Sequence, residues 1–173
     1  MDNPVVIRAA EVCAEAGLAT LRFNFRGVGA STGTHDDGRG EQDDLRSALD
    51  HLAGVLPPGS RIAAAGYSFG SMVAARVAIA HPLAGLALIA PPLAMRPLTD
   101  VDVLAKLEAP LLVVVGTDDQ YCPPDALERL RRALPRAIVR TVAGANHFFF
   151  GKLFPLGEIV ETWARAVTHE PGV

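Results

Sequence analysis

Long apolar runs, cysteine and charge of one sign are all scarce in this chain, and each shortage removes a class of protein. The longest apolar stretch, around residues 83–93, is broken by Gly85, Pro91 and Pro92 and falls well short of the roughly 20 residues that a membrane-spanning helix needs. Met1-Asp2-Asn3-Pro4 has neither a positive leader nor an apolar targeting core, so no targeting or anchoring segment is expected. Only two cysteines occur, Cys13 and Cys122, without metal-ligand spacing or a disulfide framework. They read as buried or unreactive thiols in a reducing cytoplasm. The 16 basic and 19 acidic residues give a net charge of -3 and are interspersed. No basic stripe is present to track a phosphate backbone, and nucleic acid is not expected as a partner.

What is present suits one globular domain, 1–173: half of the 173 residues are hydrophobic and 20% are charged, enough to bury a core. Short apolar segments at 18–25, 61–67, 83–90, 110–116 and 137–142 are bounded by Gly, Pro or polar turns, the pattern of strands buried on both faces. Helical spacing lies between them. Residues 41–56 place Leu45, Ala48, Leu49, Leu52 and Leu56 on one stripe, and Pro57-Pro58-Gly59 ends it. Further helices are expected at 4–16, 71–80, 124–134 and 158–167. Alternation of this kind predicts an α/β fold, a mostly parallel sheet with helices on both faces.

The strongest chemical signal is Gly66-Tyr67-Ser68-Phe69-Gly70, a G-x-S-x-G pattern between an apolar strand and a helix. A serine at the tip of such a sharp turn needs neighbours without side chains and must itself accept a strained backbone. It also sits at a helix N-terminus, where the backbone N–H of Phe69 would donate to the oxyanion of a tetrahedral intermediate. Serine is a weak nucleophile and needs a base oriented by a carboxylate. Carboxylates emerge at Asp118 and Asp119, where the strand 110–116 ends on the sheet edge that carries Ser68. Asp118 would serve equally as a turn residue. His147 follows the last strand at the same edge.

Other features suit this chemistry less well. His51 lies within a helix, His81 at a helix C-terminus, His169 in the tail, and His35 beside Asp36 and Asp37. The acidic residues Asp36, Asp37, Glu41, Asp43 and Asp44 invite a metal, yet acids ahead of and within a first helical turn are favoured by the helix dipole alone. No metal or cofactor is expected. Residues 26–33 are Gly-rich after a strand but lack G-x-G-x-x-G spacing. They read as a turn passing close to the active-site edge.

Together, residues 22–31, Gly40-Glu41 with Asp44, the Gly66–Gly70 elbow and Asn146-His147-Phe148-Phe149 resemble a group of small, uncapped, mostly bacterial α/β-hydrolases. The match runs from about Met1 to Trp163. The resemblance implies a Ser68, Asp119 and His147 triad, because in that family the acid lies three residues after the glycine closing its strand, here Gly116. It also implies an open site, since 91–109 is too short for a lid domain. Relatives carry, upstream of the segment matching Met1, further strands and a loop that supplies the other half of the oxyanion hole. Their strand order places one of those strands between 18–25 and 61–67.

The expected function is hydrolysis of a small carboxylic ester or related acyl compound through an acyl-enzyme. The alternatives are acyl transfer or peptidase chemistry through the same triad, or a truncated, catalytically impaired module that binds or oligomerises because half of the oxyanion hole is absent, with an exposed strand edge to recruit a partner. Where the upstream strand would lie, direct parallel pairing of 18–25 with 61–67 is expected, giving five strands. The other expectation is an edge contributed by another chain. Phe148, Phe149, Phe150 and Phe154 would either pack on the sheet or line an acyl pocket.

Overall fold

The computed structural model describes residues 2–168; His169 lies outside them. The elements are α1 (Pro4–Glu15), α2 (Gly40–Val55), β1 (Ala64–Tyr67), α3 (Phe69–Ala78), β2 (Leu86–Ile89), α4 (Val101–Leu104), β3 (Leu111–Gly116), α5 (Pro124–Ala133), β4 (Ile138–Val142) and α6 (Leu153–Thr168). The four strands are parallel in the order β1-β2-β3-β4, with Ala64 beside Leu86, Leu86 beside Leu111 and Leu112 beside Ile138. Among the described residues no helix is long and apolar enough to cross a membrane.

The two-residue period of a strand divides the core in two. Leu86, Leu88, Leu111, Val113 and Val115 face α2, α3 and α5, packing with Leu49, Val73, Val77 and Leu130. Their alternates Ala87, Ile89, Leu112 and Val114 face α1 and α6, packing with Val5, Val12, Val160 and Trp163. β2 and β3 are therefore buried on both sides. β4 is an edge strand, and most of its residues, Arg140 among them, are open to solvent. The charge of Arg140 blunts that edge against further pairing. The helix expected at 158–167 begins earlier, at Leu153, because Pro155 falls in the first turn, where its missing N–H costs nothing.

The larger correction concerns 18–25. No strand forms there, and the sheet has four strands instead of five. Phe23 and Phe25 pack against the α2–α3 side of the core and Leu18 against the α1–α6 side, so the segment is anchored at both ends without joining a ladder. Between it and β1 lies a cavity of about 160 Å³ lined by Leu18, Leu21, Leu52, Leu56, Ala65 and Tyr67 among others. This explains why the α2 stripe is only partly sealed, with Leu45 and Leu49 buried while Leu52 and Leu56 face the cavity. β1 has one strand partner, β2, and its other edge faces this space.

Candidate active site

Ser68 stands between β1 and α3 with φ 51 and ψ -118, a backbone region that L residues seldom occupy and that persists only where the surroundings enforce it. The enforcement is visible on both sides. Ser68 N–H donates to the Ile89 carbonyl at 2.8 Å, and the Ser68 carbonyl accepts from Ser71 through both its backbone N–H at 2.9 Å and its hydroxyl at 2.5 Å. A Cβ on Gly66 would lie 2.2 Å from the Gly70 carbonyl oxygen, so only glycine fits. At Gly70 a Cβ would make ordinary contact with Phe25; the two glycines are not equivalent. Phe69 is the first residue of α3, so its N–H has no intrahelical acceptor and remains available to an anion above Ser68.

His147 and Asp119 reach this point from β4 and β3. His147 Nε2 lies 2.8 Å from Ser68 Oγ, and His147 Nδ1 lies 2.9 and 3.1 Å from the two Asp119 oxygens. A carboxylate at Nδ1 requires the proton there, which leaves Nε2 as the acceptor of the Ser68 hydroxyl. Both Asp119 and His147 are buried. Asp119 is held further by the Tyr121 backbone N–H at 2.8 Å, whereas Asp118 is exposed and accepts from the Thr117 hydroxyl at 3.0 Å. Of the two carboxylates, Asp119 is the one that meets His147.

Gly116 makes the approach possible, a role the sequence pattern did not reveal. A Cβ there would sit 2.1 Å from the Ala145 carbonyl oxygen, and Asp118 N–H donates to that same oxygen at 2.9 Å. The loop carrying His147 is therefore pinned directly on the end of β3. Tyr67 donates its hydroxyl to the His147 carbonyl at 3.1 Å; burial, with the nearby Asp119 charge, pushes its pKa up to about 12 and keeps it a neutral donor. The Tyr121 ring meets the imidazole edge-on at 4.7 Å.

The acidic residues of 36–44 build the loop beside the site. Glu41 is fully buried and accepts from the Asp36 and Gly38 N–H groups at 2.9 and 2.8 Å and from His35 Nδ1 at 2.7 Å. His35 in turn packs 5.2 Å from the Phe69 ring. Asp44 takes the Arg26 guanidinium through Nε and a terminal nitrogen and also accepts its backbone N–H. Asp36, Asp37 and Asp43 pair with Arg39, Arg96 and Arg46. Arg96 belongs to the short 91–97 segment, which is also tied to the Tyr121 carbonyl by Ala94 N–H at 2.9 Å, so this segment links the 36–44 loop to the turn that carries Asp119. Residues 26–33 close on themselves, with Gly27 N–H donating to the Thr32 carbonyl at 3.1 Å.

Cys13 and Cys122 are free and buried, with pKa values pushed up to about 11 and about 12, by burial alone for the first and by burial with the Asp119 and Asp125 charges for the second. Neither is a thiolate near neutral pH.

Comparison with known proteins agrees with this fold. Residues 1–155 match the model of the alpha/beta hydrolase domain family. An uncharacterized protein of Rickettsia prowazekii is 31% identical over 156 residues, covering 86% of this chain and 66% of that protein. An uncharacterized protein of Mycobacterium tuberculosis is 32% identical over 153 residues, covering 76% of this chain and 53% of that protein. The chain thus spans less than two thirds of the length of either relative. Among solved structures, a Xanthomonas campestris protein described as an a/b serine hydrolase without lid superposes with a TM-score of 0.87 at 33% identity, over 100% of this chain and 77% of that one. An alpha-beta serine hydrolase homologue from Coxiella burnetii gives a TM-score of 0.85 at 34% identity, over 94% of this chain and 76% of that one. A chain with this fold, this elbow and this match along most of its length belongs to the alpha/beta hydrolase domain family.

Proposed function

We propose that the chain is a serine hydrolase that cleaves small carboxylic esters or related acyl compounds. The observation that carries the reading is the unbroken relay from Ser68 Oγ through the His147 ring to Asp119, at 2.8 and 2.9 Å. His147 Nε2 takes the Ser68 proton as Oγ attacks the carbonyl carbon, and Asp119 stabilises the imidazolium that forms. The Phe69 N–H donates to the developing oxyanion. Collapse breaks the ester C–O bond, the leaving alcohol takes the proton from His147, and water then releases the acyl group from Ser68 by the reverse relay. These steps use only side-chain groups, one backbone donor and water. Product analysis separates hydrolysis from transfer to another acceptor or from peptide cleavage by the same triad.

A second reading, a catalytically impaired module that binds or oligomerises, is favoured by one observation: β1 keeps an edge facing a cavity. Turnover of short-chain esters by the chain, abolished by Ser68→Ala, supports the hydrolase. A folded chain that turns over none of them supports the module.

A further inference from the structure

The run Phe148-Phe149-Phe150 does not behave as a unit. Phe149 is fully buried with φ 52, while Phe148 and Phe150 are 47% and 71% exposed. Asn146 sets this alternation, its side-chain oxygen accepting the Phe148 N–H at 3.0 Å and the Phe150 N–H at 3.4 Å. A phenylalanine at positive φ is costly. The surroundings hold it there, and the result is that the two neighbouring rings point outward and stack on each other, with centroids 5.4 Å apart and planes at 22°. The stack begins at the imidazole itself, since Phe148 meets the His147 ring edge-on at 5.5 Å.

An exposed stack of two aromatic rings offers a flat apolar surface that a further ring can cover. Its position says which ring. In the chemistry proposed above, His147 Nε2 must reach the oxygen of the leaving alcohol to protonate it as the C–O bond breaks. The alcohol half of the ester therefore extends from the histidine side of the tetrahedral centre, over the residues continuous with His147. The acyl half extends away from it.

We propose that Phe148 and Phe150 form the leaving-group subsite, and that the preferred substrates are esters whose alcohol portion carries an aromatic ring. The inference rests on the hydrolase reading of the Ser68 site and deepens it. Phe154, though exposed, has no ring contact with this stack among those of the described residues and lies outside the subsite.

The test compares two pairs of substrates across proteins, so that intrinsic reactivity cancels. The first pair, ethyl acetate and 2-phenylethyl acetate, varies the alcohol; the second, ethyl acetate and ethyl phenylacetate, varies the acyl group. In Phe148→Ala and Phe150→Ala the kcat/KM preference for the aromatic alcohol falls about threefold to tenfold, as expected for one lost aromatic contact. The acyl preference stays as it was, and Phe154→Ala changes neither ratio. A fall in the acyl ratio instead, or no change in either, overturns the proposal. A direct measurement holds apart the two readings: 2-phenylethanol added to the Ser68→Ala protein shifts the Phe148 and Phe150 ring resonances in NMR. Unshifted rings while the unsubstituted protein turns over ethyl acetate defeat the subsite alone. Absence of turnover of every ester defeats the hydrolase reading, and the ring resonances then decide whether the stack binds an aromatic alcohol at all.

Discussion

Asp119 meets His147 with both carboxylate oxygens inside a buried pair, while Asp118, one residue earlier, turns outward to Thr117. Two adjacent acids in one turn thus stand in separate environments. Asp119→Asn removes the charge and favours the wrong imidazole tautomer, and kcat/KM for a short ester falls roughly ten-thousand-fold. Asp118→Asn changes it less than about threefold, since an exposed turn contact is worth little. Steady-state kinetics on both variants check this, and a large loss in Asp118→Asn would reverse the assignment.

The glycines of the elbow differ just as sharply. Gly66→Ala drives a methyl into the backbone of Gly70 and Ser71, and is expected to cost at least about 3 kcal/mol or to prevent folding. Gly70→Ala meets only Phe25 at an ordinary 3.7 Å and sits within α3, where alanine favours the helix by roughly 0.5–1 kcal/mol. Thermal unfolding measured side by side should lower the midpoint for the first and hold or raise it for the second. Equal effects would contradict the close approach.

Acid should loosen the loop beside the site. The Arg26 hydrogen bond holds the Asp44 carboxyl below its ordinary range. At Glu41, burial pushes upward, but the backbone N–H donors of Asp36, Glu41 and Gly38 and the nearby His35 outweigh it, and the net shift is downward. Depressed carboxylates stabilise the fold above their unfolded pKa values, roughly 4, and that contribution is lost as pH falls through the lower folded values. Unfolding midpoints should therefore drop as pH falls from about 5 to about 2, the window that spans the unfolded values and those below them. Asp44→Asn and Glu41→Gln each lower stability at neutral pH, by on the order of 1–3 kcal/mol, and flatten its fall in acid. A fall as steep in both variants as in the unsubstituted chain would remove these two groups as the cause.

The cavity beside β1 makes an unusual forecast for a sheet. Ala65 lines it and is exposed although it lies in the middle of a strand. Enlarging a residue in a packed core costs about 1–3 kcal/mol. Ala65→Val instead extends into open apolar space and should be neutral or stabilising by up to about 1 kcal/mol. Urea unfolding decides: a loss above that size would mean the space is already filled.

The α/β alternation and the candidate residues Ser68 and His147 were legible because their signals are local, while the preference for Asp119 over Asp118 came from the family resemblance. Gly66 to Gly70 between an apolar strand and a helix, and polar residues at the ends of β3 and β4, identify a sheet edge from spacing alone. What was not legible depends on partners distant in the chain. Residues 18–25 have strand composition, yet whether they join a ladder depends on what lies beside β1, and there they face a cavity. Gly116 looks like any strand end until the Ala145 carbonyl is seen against it. The outward turn of Phe148 and Phe150 depends on the sign of one backbone angle at Phe149, which a run of three identical residues cannot encode by hydrophobicity.

Covalent labelling with a fluorophosphonate, read by intact-protein mass and by mapping the modified peptide, probes the nucleophile most directly. One label per chain is predicted, on Ser68, lost in Ser68→Ala and strongly slowed in His147→Ala, where the base that lies 2.8 Å from Oγ is gone. A folded chain that stays unlabelled, or a label on any other residue, would contradict the assignment of Ser68 as the nucleophile.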